Sequence, residues 1–121
     1  MKERTQSFEV KPEHSAKYVG SGTLDVLSTP MLTAFMEETA AKSIEGDLPE
    51  GHTSVGTYLE INHLKASAIG SLIDITATTN ELSERKATFS VTAQQNGVII
   101  GTAEHTRAVI QIDRFMKNML K

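Results

Sequence analysis

Adjacent Glu37 and Glu38, the four histidines (His14, His52, His63, His105), and Arg107 close behind the last of them are the first candidates for acid–base and charge chemistry in this chain. Residues 30–45 read as a helix of about four turns, and at about 100° per residue the two acids part company. Glu38 groups with Lys42 and Glu45 on the outer face and forms a favourably oriented i,i+4 pair with Lys42. Glu37 projects elsewhere, among Thr33, Ala40, Ala41 and Ile44. A carboxylate there is either an edge acid reaching water or a general base or nucleophile, and periodicity leaves both open. His63 shares a predicted strand face with Val55, Thr57, Leu59 and Ile61, so it is expected on the helix side. It is then a hydrogen-bonded core histidine or the partner of Glu37. His14 and His52 lie in Pro- or Gly-flanked loops and read as surface. His105 and Arg107 interrupt the apolar alternation of Ala103 and Val109. They mark either a strand edge reaching solvent or a cationic spot for phosphate or carboxylate.

The elements that must hold these groups follow from pattern. Residues 6–11 alternate, with Phe8 and Val10 on one side, and Pro12 ends the strand. Residues 13–28 read as a loop with one turn of structure. Thr29 is placed as N-cap and Pro30 at the first helical position. Met31, Leu32, Phe35 and Met36 give the helix a broad apolar face, and Gly46, Pro49 and Gly51 end it. From 54 to 112 the chain reads as four strands: one from 54 to His63, one marked by Ile73, Ile75 and Ala77, one by Ala87, Phe89, Val91 and Ala93, and one from Val98 to Ile112. Residues 68–71 and Asn96-Gly97 are turns. The tail from Asp113 to Lys121 is a short helix or a frayed end. Short connections imply antiparallel neighbours, and one helix over one face of a curved sheet gives an α+β fold, with residues 1–121 as a single domain.

Composition removes several functions. Without cysteine there is no disulfide, thiolate metal site or Cys nucleophile. Twelve basic against fifteen acidic residues, with no basic run, argue against nucleic-acid binding. No apolar run approaches a membrane span, and the opening residues do not form a signal peptide, so the cytoplasm is the expected location. No His-x-x-x-His pair or carboxylate-rich loop suggests a metal, and Gly20-Ser21-Gly22 lacks the context of a phosphate loop.

Three stretches, taken in order, resemble the fluoroacetyl-CoA thioesterase family of hot-dog proteins. They are Ser28-Thr29-Pro30-Met31 through Phe35-Met36-Glu37, Gly56-Thr57 through Asn62-His63, and His105-Thr106-Arg107-Ala108-Val109-Ile110. The opening Phe8-Glu9-Val10 with Pro12 and His14 fits more loosely. The resemblance implies a hot-dog fold, a long helix wrapped by an antiparallel sheet of about five strands. It also implies a catalytic set of Thr29, Glu37 and His63, with a Gly56 backbone N–H at the acyl oxygen. The cationic reading of His105 and Arg107 then makes them substrate-binding residues, with Arg107 meeting CoA phosphate. The substrate would be an acyl-CoA thioester, with CoA part of the substrate and no separate cofactor.

Residues 15–28 depart from the family, being shorter than its Phe-rich lid and free of Phe. A broader acyl-CoA thioesterase is therefore expected, with a non-catalytic acyl-CoA-binding module as the alternative. Geometry adds a constraint. Thr29 and Glu37, eight residues apart, would sit about 12 Å apart along one straight helix. Either the chain bends at Thr29-Pro30 or two subunits share each site, so a homodimer or higher even-numbered oligomer is expected.

Overall fold

The computed structural model describes residues 2–120. Strand β1 (Lys2–Glu9) leads through a 3₁₀ turn at Pro12–His14 and a single-turn helix α1 (Ala16–Val19) to the long helix α2 (Thr29–Glu45). Strands β2 (His52–His63), β3 (Leu72–Leu82), β4 (Lys86–Gln95) and β5 (Val98–Gln111) follow, then helix α3 (Ile112–Met119). The five strands form one antiparallel sheet in the order β1-β3-β4-β5-β2. α2 lies across it and touches all five strands. This is the hot-dog arrangement. Among the described residues no helix is long and apolar enough to cross a membrane.

The core forms where α2 meets the inner face of the sheet. Leu32, Phe35, Met36, Ala40 and Ile44 of the helix are buried against Ile73, Ile75, Ala77, Ala87, Phe89, Val91, Ala93 and Ala103. Four of those sheet residues are alanines, which give the helix room to settle close to the strands. Phe35 stacks on Phe8, with ring centroids 4.4 Å apart, and packs edge-on against His14 at 5.0 Å. His14 is thus half-buried on the core rather than a surface loop residue, and its Nδ1 accepts from the Lys11 N–H. The buried Thr39 and Ser43 hydroxyls donate to the Phe35 and Ala40 carbonyls of their own helix.

Three local expectations change. Ser28, not Thr29, caps α2: its Oγ accepts from the Met31 N–H, leaving Thr29 and Pro30 as the first two helical residues. β1 runs earlier than expected, pairing Lys2–Glu9 with Leu72–Thr79 and stopping before Val10. β2 carries a bulge between Gly56 and Tyr58, so Thr57 has no partner on β5. A bulge reverses the alternation of facing. Leu59, Ile61 and His63 therefore share the inner face with Ser54 and Gly56, not with Val55 and Thr57. The Asn96-Gly97 turn is as expected, with positive φ at both residues (51° and 77°).

Candidate active site

Glu37 and Glu38 separate as helix geometry requires. Glu38 points outward, accepting from Gln6 Nε2 at 2.6 Å and pairing with Lys42 at 3.3 Å. Glu37 turns toward β2 and β5, where Gly56 and Arg107 face each other across the ladder. Its Oε2 lies 3.7 Å from Arg107 Nη1. A Cβ added to Gly56 would fall 2.5 Å from that oxygen, 3.2 Å from His105 Cε1 and 3.4 Å from Arg107 Nη1. Only glycine leaves the space that the carboxylate occupies.

The groups behind Glu37 form a closed polar network. Arg107 Nε donates to Ser54 Oγ at 2.8 Å and Nη2 to the Ser54 carbonyl at 3.0 Å. Arg107 Nη1 lies 3.2 Å from His105 Nε2, and His105 Nδ1 lies 2.7 Å from the Tyr58 carbonyl. A guanidinium only donates and a carbonyl only accepts. His105 is therefore neutral, with its proton on Nδ1. Burial pushes its pKa down, the nearby guanidinium adding to this while the Tyr58 carbonyl and Glu37 oppose it. Burial also lowers the pKa of Arg107, with the Glu37 charge opposing. At 2% and 8% exposed, His105 and Arg107 are interior residues. This corrects the expectation of an open cationic spot, because the guanidinium faces Ser54, His105 and Glu37. Ser54 had no signal in sequence, since its facing depends on the bulge.

A second cluster lies at the start of α2. Thr29 Oγ1 and His63 Nδ1 share a hydrogen bond of 2.7 Å. With Ser28 as the cap, the Thr29 hydroxyl is free for this contact, and the positive end of the helix dipole favours negative charge on it. Burial lowers the His63 pKa, partly offset by the Lys65 backbone, and Nε2 is buried without a well-formed hydrogen bond. A cavity of about 280 Å³ opens here, lined by Leu27, Thr29, His63 and Leu64 among others. A hydroxyl bonded to a neutral imidazole is the pairing that nucleophilic catalysis uses.

Thr29 and Glu37 both lie in the one helix α2, and eight residues of helix separate them by about 12 Å along its axis. Within a chain, Thr29 and His63 are together, Glu37, Gly56, His105 and Arg107 are together, and the two groups are apart. His52, expected at the surface, opens β2 half-buried with Nδ1 near the Glu50 carbonyl at 3.1 Å.

Comparison with known proteins agrees with this architecture. A curated fluoroacetyl-CoA thioesterase from Streptantibioticus cattleyicolor is 28% identical over 117 residues, 92% of this chain and 84% of that protein. A crystal structure of a variant fluoroacetyl-CoA-specific thioesterase with fluoroacetate and CoA superposes with a TM-score of 0.87 at 24% identity, covering 93% of this chain and 95% of that one. A hot-dog-like protein from Thermanaerovibrio acidaminovorans gives 0.88 at 21% identity over 98% and 87% of the two chains. The profile of the family described as Fluoroacetyl-CoA-specific thioesterase matches residues 10–113, and the chain belongs to that family.

Proposed function

We propose that this protein is an acyl-CoA thioesterase that hydrolyses small acyl-CoA esters to the free acid and CoA. It acts as a homodimer in the cytoplasm, with residues 1–121 as one catalytic domain and no cofactor beyond the CoA of its substrate. The observation that carries the reading is the 2.7 Å Thr29–His63 hydrogen bond at the mouth of a small cavity. The small volume, about 280 Å³, favours short acyl groups.

Each site takes Thr29 and His63 from one subunit and Glu37 and Gly56 from the other. This follows from the separation of the two clusters along α2 and from β2 lying at the edge of the sheet, where a second β2 can pair. Neutral His63 accepts the Thr29 hydroxyl proton as Oγ1 attacks the thioester carbonyl. The Gly56 N–H stabilises the oxyanion. Collapse of the adduct breaks the C–S bond, and the leaving sulfur takes the proton from His63, leaving an acyl-threonine ester. Glu37, held by Arg107, removes a proton from water as its oxygen attacks that ester. The acid departs and the proton returns to Thr29 Oγ1. His105 and Arg107 position Glu37 instead of meeting the CoA phosphates.

The test is release of free thiol across an acyl-CoA panel from acetyl to long-chain and aryl esters. Turnover falling with chain length supports the reading. Tight binding of every ester without thiol release would overturn it in favour of a non-catalytic acyl-CoA-binding module.

A further inference from the structure

Most of the exposed large apolar side chains lie in two groups, one on α3 and one around the Thr29 cavity. On α3, Arg114, Phe115 and Asn118 line a cavity of about 960 Å³ shared with the β3–β4 turn and the segment after α2. Ile112, Met116 and Met119 recur at the i, i+4, i+7 spacing of a second face, about a third of a turn away. They are 40%, 44% and 57% exposed, and no residue of α3 is buried. At the Thr29 cavity, Leu64 lines the wall and is 58% exposed. Tyr18, Val19 and Leu24 stand exposed on the segment whose Ala16, Ser21 and Val26 line the same cavity. Contiguous apolar surface of this kind marks an interaction site.

We propose that the face of α3 carrying Ile112, Met116 and Met119 docks on a second copy of this chain and covers its Thr29–His63 cavity, an inference that rests on the shared-site reading above.

The geometry of an antiparallel edge selects this occupant. β2 is an edge strand, and the shared site sets two β2 strands antiparallel with Gly56 of one beside His63 of the other. The start of each strand then meets the end of its mate. His52 comes about level with the partner's Ser67, about 10 Å past the partner's Leu64. α3 begins at that level, because the Ile112 N–H donates to the Gly51 carbonyl at 3.0 Å and Gln111 pairs with His52. Eight residues of helix measure about 12 Å, enough to cover the interval back to Leu64. The side of the sheet also agrees. α3 shares its cavity with Val109 and Gln111, which follow Arg107 on the inner face, and α2 carries Thr29 over that same face. A two-fold repeats the contact, so both apolar groups of both chains are covered at once.

The absence of cysteine makes a direct test available, since single cysteines can be introduced without background. Met119→Cys chains are reassociated with Leu64→Cys chains and treated with a short bismaleimide. The control mixes Met119→Cys with Leu72→Cys, exposed on β3 near the opposite edge of the sheet. The expected yield of covalent dimer is about tenfold or more above the control, because docking holds the two thiols at high effective concentration. Met116→Glu/Met119→Glu should raise the dimer dissociation constant about tenfold or more in sedimentation. A control-level yield, or a charged variant that dimerises like the parent, would overturn the docking. Cosedimentation of the parent with phosphatidylglycerol vesicles, lost in the charged variant and without excess cross-link, would assign the face to a membrane instead. If the parent is a dimer that releases thiol from acetyl-CoA and the cross-link fails, the docking alone falls. A parent that stays monomeric overturns the shared site together with it.

Discussion

The two polar clusters of this chain are built in opposite ways. Around Glu37 everything is cross-linked: Arg107 reaches Ser54 twice, His105 and the carboxylate itself, and His105 is fixed by the Tyr58 carbonyl. At Thr29, among the described residues, a single hydrogen bond joins two side chains, and His63 Nε2 has no well-formed bond. The first cluster seats a helix carboxylate on paired strands, where register fixes Gly56 opposite Arg107. The second joins the first residue of α2 to the last residue of β2 beside an open cavity. The difference suits a division of work, in which a rigid cluster holds a carboxylate where a glycine makes room and an open cluster leaves a hydroxyl free to meet substrate. The proposed shared site would bring them together from two copies of the chain.

The largest effect should come from breaking the rigid cluster at its acid. Glu37→Gln is expected to lower kcat/KM on acetyl-CoA by about 10²–10⁴-fold. Its side chain is 40% exposed, so the melting temperature should stay near that of the parent. Mixing Glu37→Gln with Thr29→Ala chains sharpens the test. If sites are shared, the heterodimer carries one doubly damaged and one intact site. Randomly reassociated chains then recover about a quarter of parental activity. Recovery of none would place the whole site within one chain.

The open cluster should respond in a graded way. Thr29→Ser keeps the hydroxyl and should stay within about tenfold of the parent, whereas Thr29→Ala should lose about a hundredfold or more. Because Ser28 supplies the cap, thermal stability should barely change in either. Parallel losses of stability and activity would mean that the residue serves the helix start instead of the chemistry.

Gly56→Ala probes how tightly the rigid cluster is packed. Its methyl would meet the Glu37 carboxylate at 2.5 Å, so the acid must move off the strand. The clashing oxygen is the end of a half-exposed side chain that can swing aside, so the denaturant midpoint should shift by less than about 1 kcal/mol. Activity should fall, since the displaced carboxylate no longer faces Arg107. Parental activity would show that the position of Glu37 on Gly56 is not needed for the reaction.

Which parts of this were legible in sequence follows from how local each cause is. The separation of Glu37 from Glu38 needed only helix geometry, and the three later strands needed only alternation and Asn96-Gly97. The bulge at Gly56–Tyr58 leaves no compositional trace, so it reversed the facing of Ser54 and Val55 unannounced. Ser28 and Thr29 are both competent caps, and only the position of His63 decides which hydroxyl is left for chemistry. Arg107 read as an open cation because burial of a charge depends on partners distant in the chain, here Glu37 and Ser54.

The smallest effect concerns protons and separates the histidines of the two clusters. Burial depresses the pKa of both His63 and His105 below the ordinary histidine value of 6.5. A folded pKa below the unfolded one means that the unfolded chain binds the proton more readily. The stabilisation is therefore complete above about pH 6.5 and is lost as pH falls from there toward the folded values. Melting temperature should decline through that window. His105→Gln should flatten the decline, because an amide can still donate to the Tyr58 carbonyl and accept from Arg107 without titrating. Its cost at neutral pH should be about 1 kcal/mol. The pH dependence of kcat/KM should behave differently. Its acidic limb reports His63, which must be neutral to accept the Thr29 proton, so it should lie below 6.5 and persist in His105→Gln. If that variant instead moved the acidic limb, the buried cluster would be taking part in proton transfer, and the contrast between a holding cluster and a reacting one would fail.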